Sequence, residues 1–191
     1  TGADIMFGGL GDDAYFVDGG DGVIENANEG NDTVFTTTHF ALSANVENLV
    51  LQGNADLQGY GNNLANMLYG NAGGNLLDGR SGADIMRGGF GNDTYFVDDA
   101  GDMIIENFNE GTDAVFATAH FALSANVETL VLQGSADLQG YGNDLANALY
   151  GNTGNNILNG EAGADIMVGG AGSDAYFVDA AGDMIIENPN E

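Results

Sequence analysis

Glycine and aspartate recur at fixed spacing along this chain. Residues 88–96 read Gly-Gly-Phe-Gly-Asn-Asp-Thr-Tyr-Phe, so a carboxylate, Asp93, follows three glycines and a large apolar residue, Tyr95, comes two places later. Residues 8–16 and 169–177 repeat the pattern, with Asp13 before Tyr15 and Asp174 before Tyr176. Glycine reaches backbone conformations closed to residues with a Cβ, so such turns can aim carbonyl oxygens at a common point while the aspartate supplies charge. Carbonyl and carboxylate oxygens are the ligands of a hard cation such as calcium, which takes 6–8 of them at about 2.3–2.6 Å. Magnesium asks for a tighter octahedron and keeps its waters. Zinc asks for His or Cys, and the chain has two His and no Cys.

The turns must be positioned by something periodic. Nine-residue units start at Gly61, Gly70, Gly79 and Gly88, and again at Gly142, Gly151, Gly160 and Gly169. Their sixth place reads Asn66, Asn75, Asp84, Asp93, then Asn147, Asn156, Asp165, Asp174; their eighth reads Leu68, Leu77, Met86, Tyr95, then Leu149, Leu158, Met167, Tyr176. Six turn residues followed by three in strand order place the eighth residue on one face and its neighbours on the other. Two units then make one flattened coil, and successive coils pair their strands in parallel about 4.8 Å apart. The column of eighth-place residues becomes a thin core, with unit n above unit n+2.

A longer repeat contains these runs. Residues 1–6 return at 81–86 and at 162–167, and residues 40–62 return almost unchanged at 121–143. This divides the chain into long repeats 1–80, 81–161 and a partial 162–191, expected to form one continuous solenoid. Residues 33–35, 49–51, 114–116 and 130–132 read as short strands, although 31–60 and 112–141 fit the nine-residue period less well. The ends of the sequence fall inside motifs, which suggests a piece of a longer array.

Composition narrows the partners. The chain carries 29 Asp and Glu against 2 Lys and Arg, a formal net charge of -27 over 191 residues. Nucleic acid needs Lys and Arg to neutralise phosphates, so it is excluded as a partner, as are anionic membrane surfaces. No apolar run approaches the roughly 20 residues that span a bilayer, so membrane insertion by this segment is not expected. Charge of this size destabilises a compact state by self-repulsion, so cations are expected to be part of the fold.

Together these motifs resemble the calcium-binding RTX (repeats-in-toxin, haemolysin-type) repeats of secreted bacterial proteins, and the resemblance covers essentially the whole chain. It implies an all-β fold, a right-handed parallel β-roll or β-solenoid, with several calcium ions held between turns n and n+2. Carried over by position, the ligands are the carboxylates of Asp4, Asp13, Asp84, Asp93, Asp165 and Asp174. Carbonyls around Gly8, Gly9, Gly11, Gly79, Gly82, Gly88, Gly89, Gly91, Gly160, Gly163, Gly169, Gly170 and Gly172 join them. Asp102 and Asp183 partner the turns of Asp84 and Asp165. Asn66, Asn75, Asn147 and Asn156 depart from the pattern and offer a neutral oxygen, hence a weaker site. The resemblance further implies type I secretion to the extracellular space and a chain unfolded where calcium is scarce. The role expected is a non-catalytic structural and secretion-assisting module. The alternative is an adhesin-like module whose roll face binds a polysaccharide or cell-surface partner.

Magnitudes favour folding coupled to calcium. One ion at ten times its dissociation constant adds about 1.4 kcal/mol. Roughly six such sites add about 8 kcal/mol, comparable with the 5–15 kcal/mol stability of a whole domain. Other features have plainer readings. Tyr15, Tyr95 and Tyr176 lie in the core column and are expected to pack there. His39 and His120 are one position of the long repeat and are expected to be structural. No nucleophile–base pair stands out, and no enzyme activity is expected. Met67, Leu76, Ile85, Ile105 and Ile166 flank the core column and should face outward, as a contact surface for self-association or a covering segment.

Overall fold

The computed structural model describes residues 2–187, and among them every regular element is a short β-strand. Two compact units divide the chain, Thr1–Ile105 and Glu106–Glu191. Each is a parallel β-solenoid.

In the first unit six strands stack in the order Ala14–Val17, Thr33–Thr36, Asn48–Leu51, Met67–Tyr69, Ile85–Arg87 and Met103–Ile104. Facing them run Phe40–Ala41, Gln58–Tyr60, Leu76–Asp78 and Thr94–Val97, and at the start of the unit Ile5–Phe7 pairs with Gly22–Ile24. Where nonapeptides stack, paired residues are 18 apart, as Met67 with Ile85 and Leu76 with Thr94. That is two nine-residue units, so each residue lies beside its counterpart one coil on. The irregular segment joins the same ladder by changing its step. It pairs Ala14 with Thr33, Thr33 with Asn48 and Asn48 with Met67, steps of 19, 15 and 19 residues. The second unit does the same, from Ala114 to Thr129 and from Thr129 to Ala148. Residues 31–60 and 112–141 are therefore irregular coils within the two solenoids. The strands expected at 33–35, 49–51, 114–116 and 130–132 are all present, while Phe40–Ala41 and Phe121–Ala122 carry no sequence signal strong enough to mark them.

The eighth-place column, continued by Leu49 and Leu130 of the irregular coils, is the centre of the core, and Val17, Leu51, Val97 and Leu132 are buried two places along the same strands. Leu49, Leu68, Leu77, Met86 and Tyr95 are completely buried in the first unit, and Leu130, Leu149, Leu158 and Met167 in the second. Val34 and Val115, from the irregular coils, join their columns. Gly59 and Gly140 hold inward places without side chains; a Cβ on Gly59 would press on Leu49, 2.9 Å away, and on Leu77. The long leucines of the neighbouring coils already fill that space. At the end of the described chain the column opens: Tyr176 is half-buried, and Ile185 is 43% exposed.

Met67, Leu76, Ile85, Ile105 and Ile166 alternate outward as the strand period requires and are half-buried rather than bare, whereas the flanking Phe7, Phe16 and Met103 are more than half exposed. Ile85 stands between Met67 and Met103 across the ladder, and Leu76 stands beside Thr94. Each side chain shields its neighbours one coil away.

A core this thin makes each buried residue expensive to lose. Leu77→Ala should lower the stability of the calcium-saturated protein by about 2–5 kcal/mol. Leu76→Ala, one residue along on the outer face, should cost far less. Denaturant unfolding of both variants in excess calcium checks this, and equal losses would contradict a core confined to the inner column.

Candidate metal centre

The 18-residue register sets sixth-place residues above one another along each edge. One carboxylate oxygen of each upper aspartate then accepts the backbone N–H of the sixth-place residue one coil below. Asn66 donates to Asp84 Oδ1 at 2.7 Å, and Asp84 in turn donates to Asp102 Oδ1 at 2.9 Å. In the second unit Asn147 donates to Asp165 Oδ1 at 2.8 Å, and Asp165 to Asp183 Oδ1 at 3.2 Å. On the opposite edges Asn75 donates to Asp93 and Asn156 to Asp174, both at 2.6 Å. Asp4 is exposed, and its N–H donates to Asp21 Oδ1 at 3.0 Å. Hydrogen bonds thus place Asp102 next to Asp84 and Asp183 next to Asp165.

The second oxygen is what matters chemically. Asp84 and Asp165 are completely buried, and their Oδ2 atoms accept no hydrogen bond. A buried carboxylate oxygen without a donor is costly, and a cation is the partner that relieves it. The glycines hold this geometry in two ways. Those at the second and fourth places take left-handed φ, such as 84° at Gly9, 94° at Gly89 and 89° at Gly170. Those at the first place make room: a Cβ on Gly79 would strike the Asp84 carboxylate, and one on Gly160 the Asp165 carboxylate. The same collision follows at Gly8 with Asp13, at Gly88 with Asp93 and at Gly169 with Asp174. Arg80 and Glu161 occupy second places with φ of 60° and 61°, so those turns keep the glycine conformation without the glycine.

The asparagine turns are wired differently. Asn66 Oδ1 accepts the N–H of Asn62 within its own turn, while Asn66 Nδ2 donates to the carbonyls of Val46 and Glu47. Asn147 does the same with Asn143, Val127 and Glu128. The second-place Asn62 donates to the carbonyls of Ser43 and Val46, and Asn143 to those of Ser124 and Val127. Amide nitrogens therefore gather the carbonyls that a cation would otherwise draw together. On the opposite edges Asn75 and Asn156 each donate to the Asn at their own second place, Asn71 and Asn152.

Several participants were not legible from the motif. Glu47 Oε2 accepts the Asp32 N–H, and Glu128 Oε2 the Asp113 N–H, so glutamates continue the ladder through the irregular coils. Glu25 and Asp32 come to Asp13, a ligand oxygen from each lying within 4.8 Å of the others. Tyr15 does pack in the core, at 5% exposure, but its hydroxyl also donates to Glu25 Oε1. The only early signal was spacing, since the same residue types recur in sequence as Asp93, Glu106 and Asp113. The two histidines are structural acceptors: Nδ1 of His39 takes the N–H of Gln58, and Nδ1 of His120 that of Gln139, both at 2.9 Å.

Packed acids shift one another. Burial pushes the Asp84 carboxyl up to about 6, with Asp102, Asp98 and Asp78 adding to the rise against the pull of the Asn66 N–H. Burial likewise raises Asp165 and Asp102. Asp183, more open to solvent, is lowered, chiefly by the N–H groups of Ala180 and Asp165. Burial raises Glu25, and the charge of Asp32 adds to it.

Stacked turns, buried carboxylate oxygens without donors and glycines that clear the space fit a row of hard-cation sites. The family model of the RTX calcium-binding nonapeptide repeat matches residues 1–24, 60–95 and 141–176, about half of the chain. The chain belongs to this family. No curated protein matches it. RTX repeats are structural calcium-binding modules rather than catalytic ones, and calcium is the ion that these donor sets suit.

The raised Asp84 carboxyl makes calcium binding depend on pH. A carboxyl whose folded pKa lies above its unfolded value of 3.8 holds its proton more tightly when folded, so it favours the ion-free fold at acid pH and loses that contribution as pH rises through about 6. Calcium must displace that proton. Affinity measured by calorimetry should therefore rise between about pH 5 and pH 7. A flat profile over this range would mean that Asp84 is ionised before calcium arrives.

Proposed function

We propose that this chain is a calcium-folded structural module of a protein exported from a bacterial cell. It is disordered where calcium is scarce, and it becomes a rigid β-solenoid outside the cell, where it spaces or presents other parts of its protein. The observation that carries this reading is the pair of completely buried aspartates, Asp84 and Asp165, each with a donorless oxygen in a solenoid of net charge -27. The chain holds only 2 Lys and Arg to set against 29 Asp and Glu.

In this proposal the ions lie between stacked aspartate turns, with Asp84 and Asp102 at one site and Asp165 and Asp183 at its counterpart. Asp4, Asp13, Asp93 and Asp174 anchor the remaining turns, and glycine carbonyls complete each shell. The turns of Asn66 and Asn147 close on their own amides and take no ion. This reading explains why the asparagine turns need no aspartate, and it reduces the ion count below one per nonapeptide.

A calcium titration followed by far-UV CD, with calorimetry for stoichiometry and magnesium as control, tests the proposal. A cooperative passage from disorder to β structure with calcium, and none with magnesium at the same concentration, is expected. A full β spectrum in excess EGTA at neutral pH would overturn it, because the apolar column would then suffice alone.

A further inference from the structure

Beyond the glycine turns, we propose that Asp13, Glu25 and Asp32 form a calcium site of a second kind, built from side-chain carboxylates and oriented by Tyr15. It rests on the cation reading above, but its residues lie largely outside the nonapeptide pattern. The matched stretch ends at residue 24, and both Glu25 and Asp32 follow it.

Asp13 and Asp32 belong to the edge ladder, since the Asp13 N–H donates to Asp32 Oδ1 at 2.9 Å. What differs is Glu25, which directly follows the strand Gly22–Ile24 and brings its carboxylate close to them. Glu25 is 6% exposed and Asp32 1%. Glu25 Oε2, Asp32 Oδ2 and Asp13 Oδ2 are all buried and accept no hydrogen bond. Two buried acids and a half-buried third, each with a buried oxygen that is unmet, do not arise as a solvated acidic face. Their convergence is also local: a Cβ on Gly8 would run into Asp13 Oδ2, Glu25 Oε1 and the Tyr15 hydroxyl together. The cradle is therefore kept open by a glycine at its centre.

The spacing suits calcium. A ligand oxygen from each acid lies within 4.8 Å of the other two. Two oxygens bound at about 2.3–2.6 Å to one calcium ion can be up to about 5.2 Å apart, so the three acids lie close enough to converge on a single ion. Tyr15 fixes the glutamate by donating to its Oε1, the role of a neighbour that orients a ligand. The second unit repeats the device, with the Tyr176 hydroxyl donating to Glu187 Oε1 and a Cβ on Gly169 meeting both Tyr176 and Asp174.

Counting bound calcium by native mass spectrometry tests this on the full chain. Glu25→Gln should bind one ion fewer than the parent while still folding with calcium, and Asp84→Asn should lose a different ion. Tyr15→Phe keeps the ring in the core and should weaken one ion by about tenfold or more in calorimetry. It stands in if Glu25→Gln fails to fold. An unchanged count in Glu25→Gln, or unchanged affinities in Tyr15→Phe, overturns the second site. If Asp84→Asn still loses its ion, the glycine-turn reading survives that outcome; a parent chain that binds no calcium would defeat both.

Discussion

Like charges stacked at a fixed register are the constraint on which this structure depends. A parallel solenoid places each residue beside its counterpart one coil away, so an aspartate that recurs every two units lies next to another along the edge. Unit charges about 4.8 Å apart repel by about 3 kcal/mol at an effective dielectric near 20. The backbone N–H below each aspartate satisfies one oxygen, as in the step from Asn66 to Asp84 to Asp102. The other oxygen is left to face its neighbours. A chain with 2 basic residues cannot settle that from within. Under the proposed function the cation is a structural member of the fold, in the sense that a core leucine is.

The core and the turns share the work unequally. The apolar core is one or two residues wide on each strand, and much of each coil is turn. Glycine weakens that turn in the unfolded-state balance, because it has the most conformational freedom to lose. Yet the first-place glycines cannot be replaced without displacing a carboxylate, as Gly79 shows against Asp84. The sequence accepts a floppy chain in exchange for a cradle that closes around an ion. The irregular coils manage the opposite problem. With steps of 19, 15 and 19 residues they have no nonapeptide to repeat, and they hold register with Glu47 and with Asn45, whose side chain donates to the Glu25 carbonyl.

Most of the fold was legible in the sequence because its period is rigid. A strand of three residues with its middle one apolar admits one inward column, and Leu68, Leu77 and Met86 fill it as the spacing requires. The stacking of Asp102 beside Asp84 follows the same period, since the two are two units apart. What escaped lies where the period breaks. Glu25 follows Tyr15 by ten residues and reaches it only through an irregular coil. No nonapeptide count places the two together. The tyrosines misled in a milder way. Their eighth place promised packing, which Tyr15 and Tyr95 deliver, but a phenol is long enough to carry a hydroxyl past the core into the turn. The Gly88 N–H donates to the Tyr95 hydroxyl at 2.7 Å, which leucine at that place could not accept.

The exchange of Asp for Asn at the sixth place is the smallest change that alters what a turn needs. Both side chains put an oxygen near the first glycine. The asparagine adds two N–H donors, and at Asn66 they reach the carbonyls of Val46 and Glu47. Asparagine thus brings its own positive end, and the turn closes with no net charge. Aspartate brings a negative end and leaves the same task to a metal. The two kinds adjoin in one ladder, where the neutral Asn66 turn lies directly below Asp84. An amide-closed coil supplies a fixed floor of N–H groups without adding to the repulsion above it. Interleaving the two kinds lets the solenoid spend its charge where an ion can be gripped, and keep the coils between them neutral.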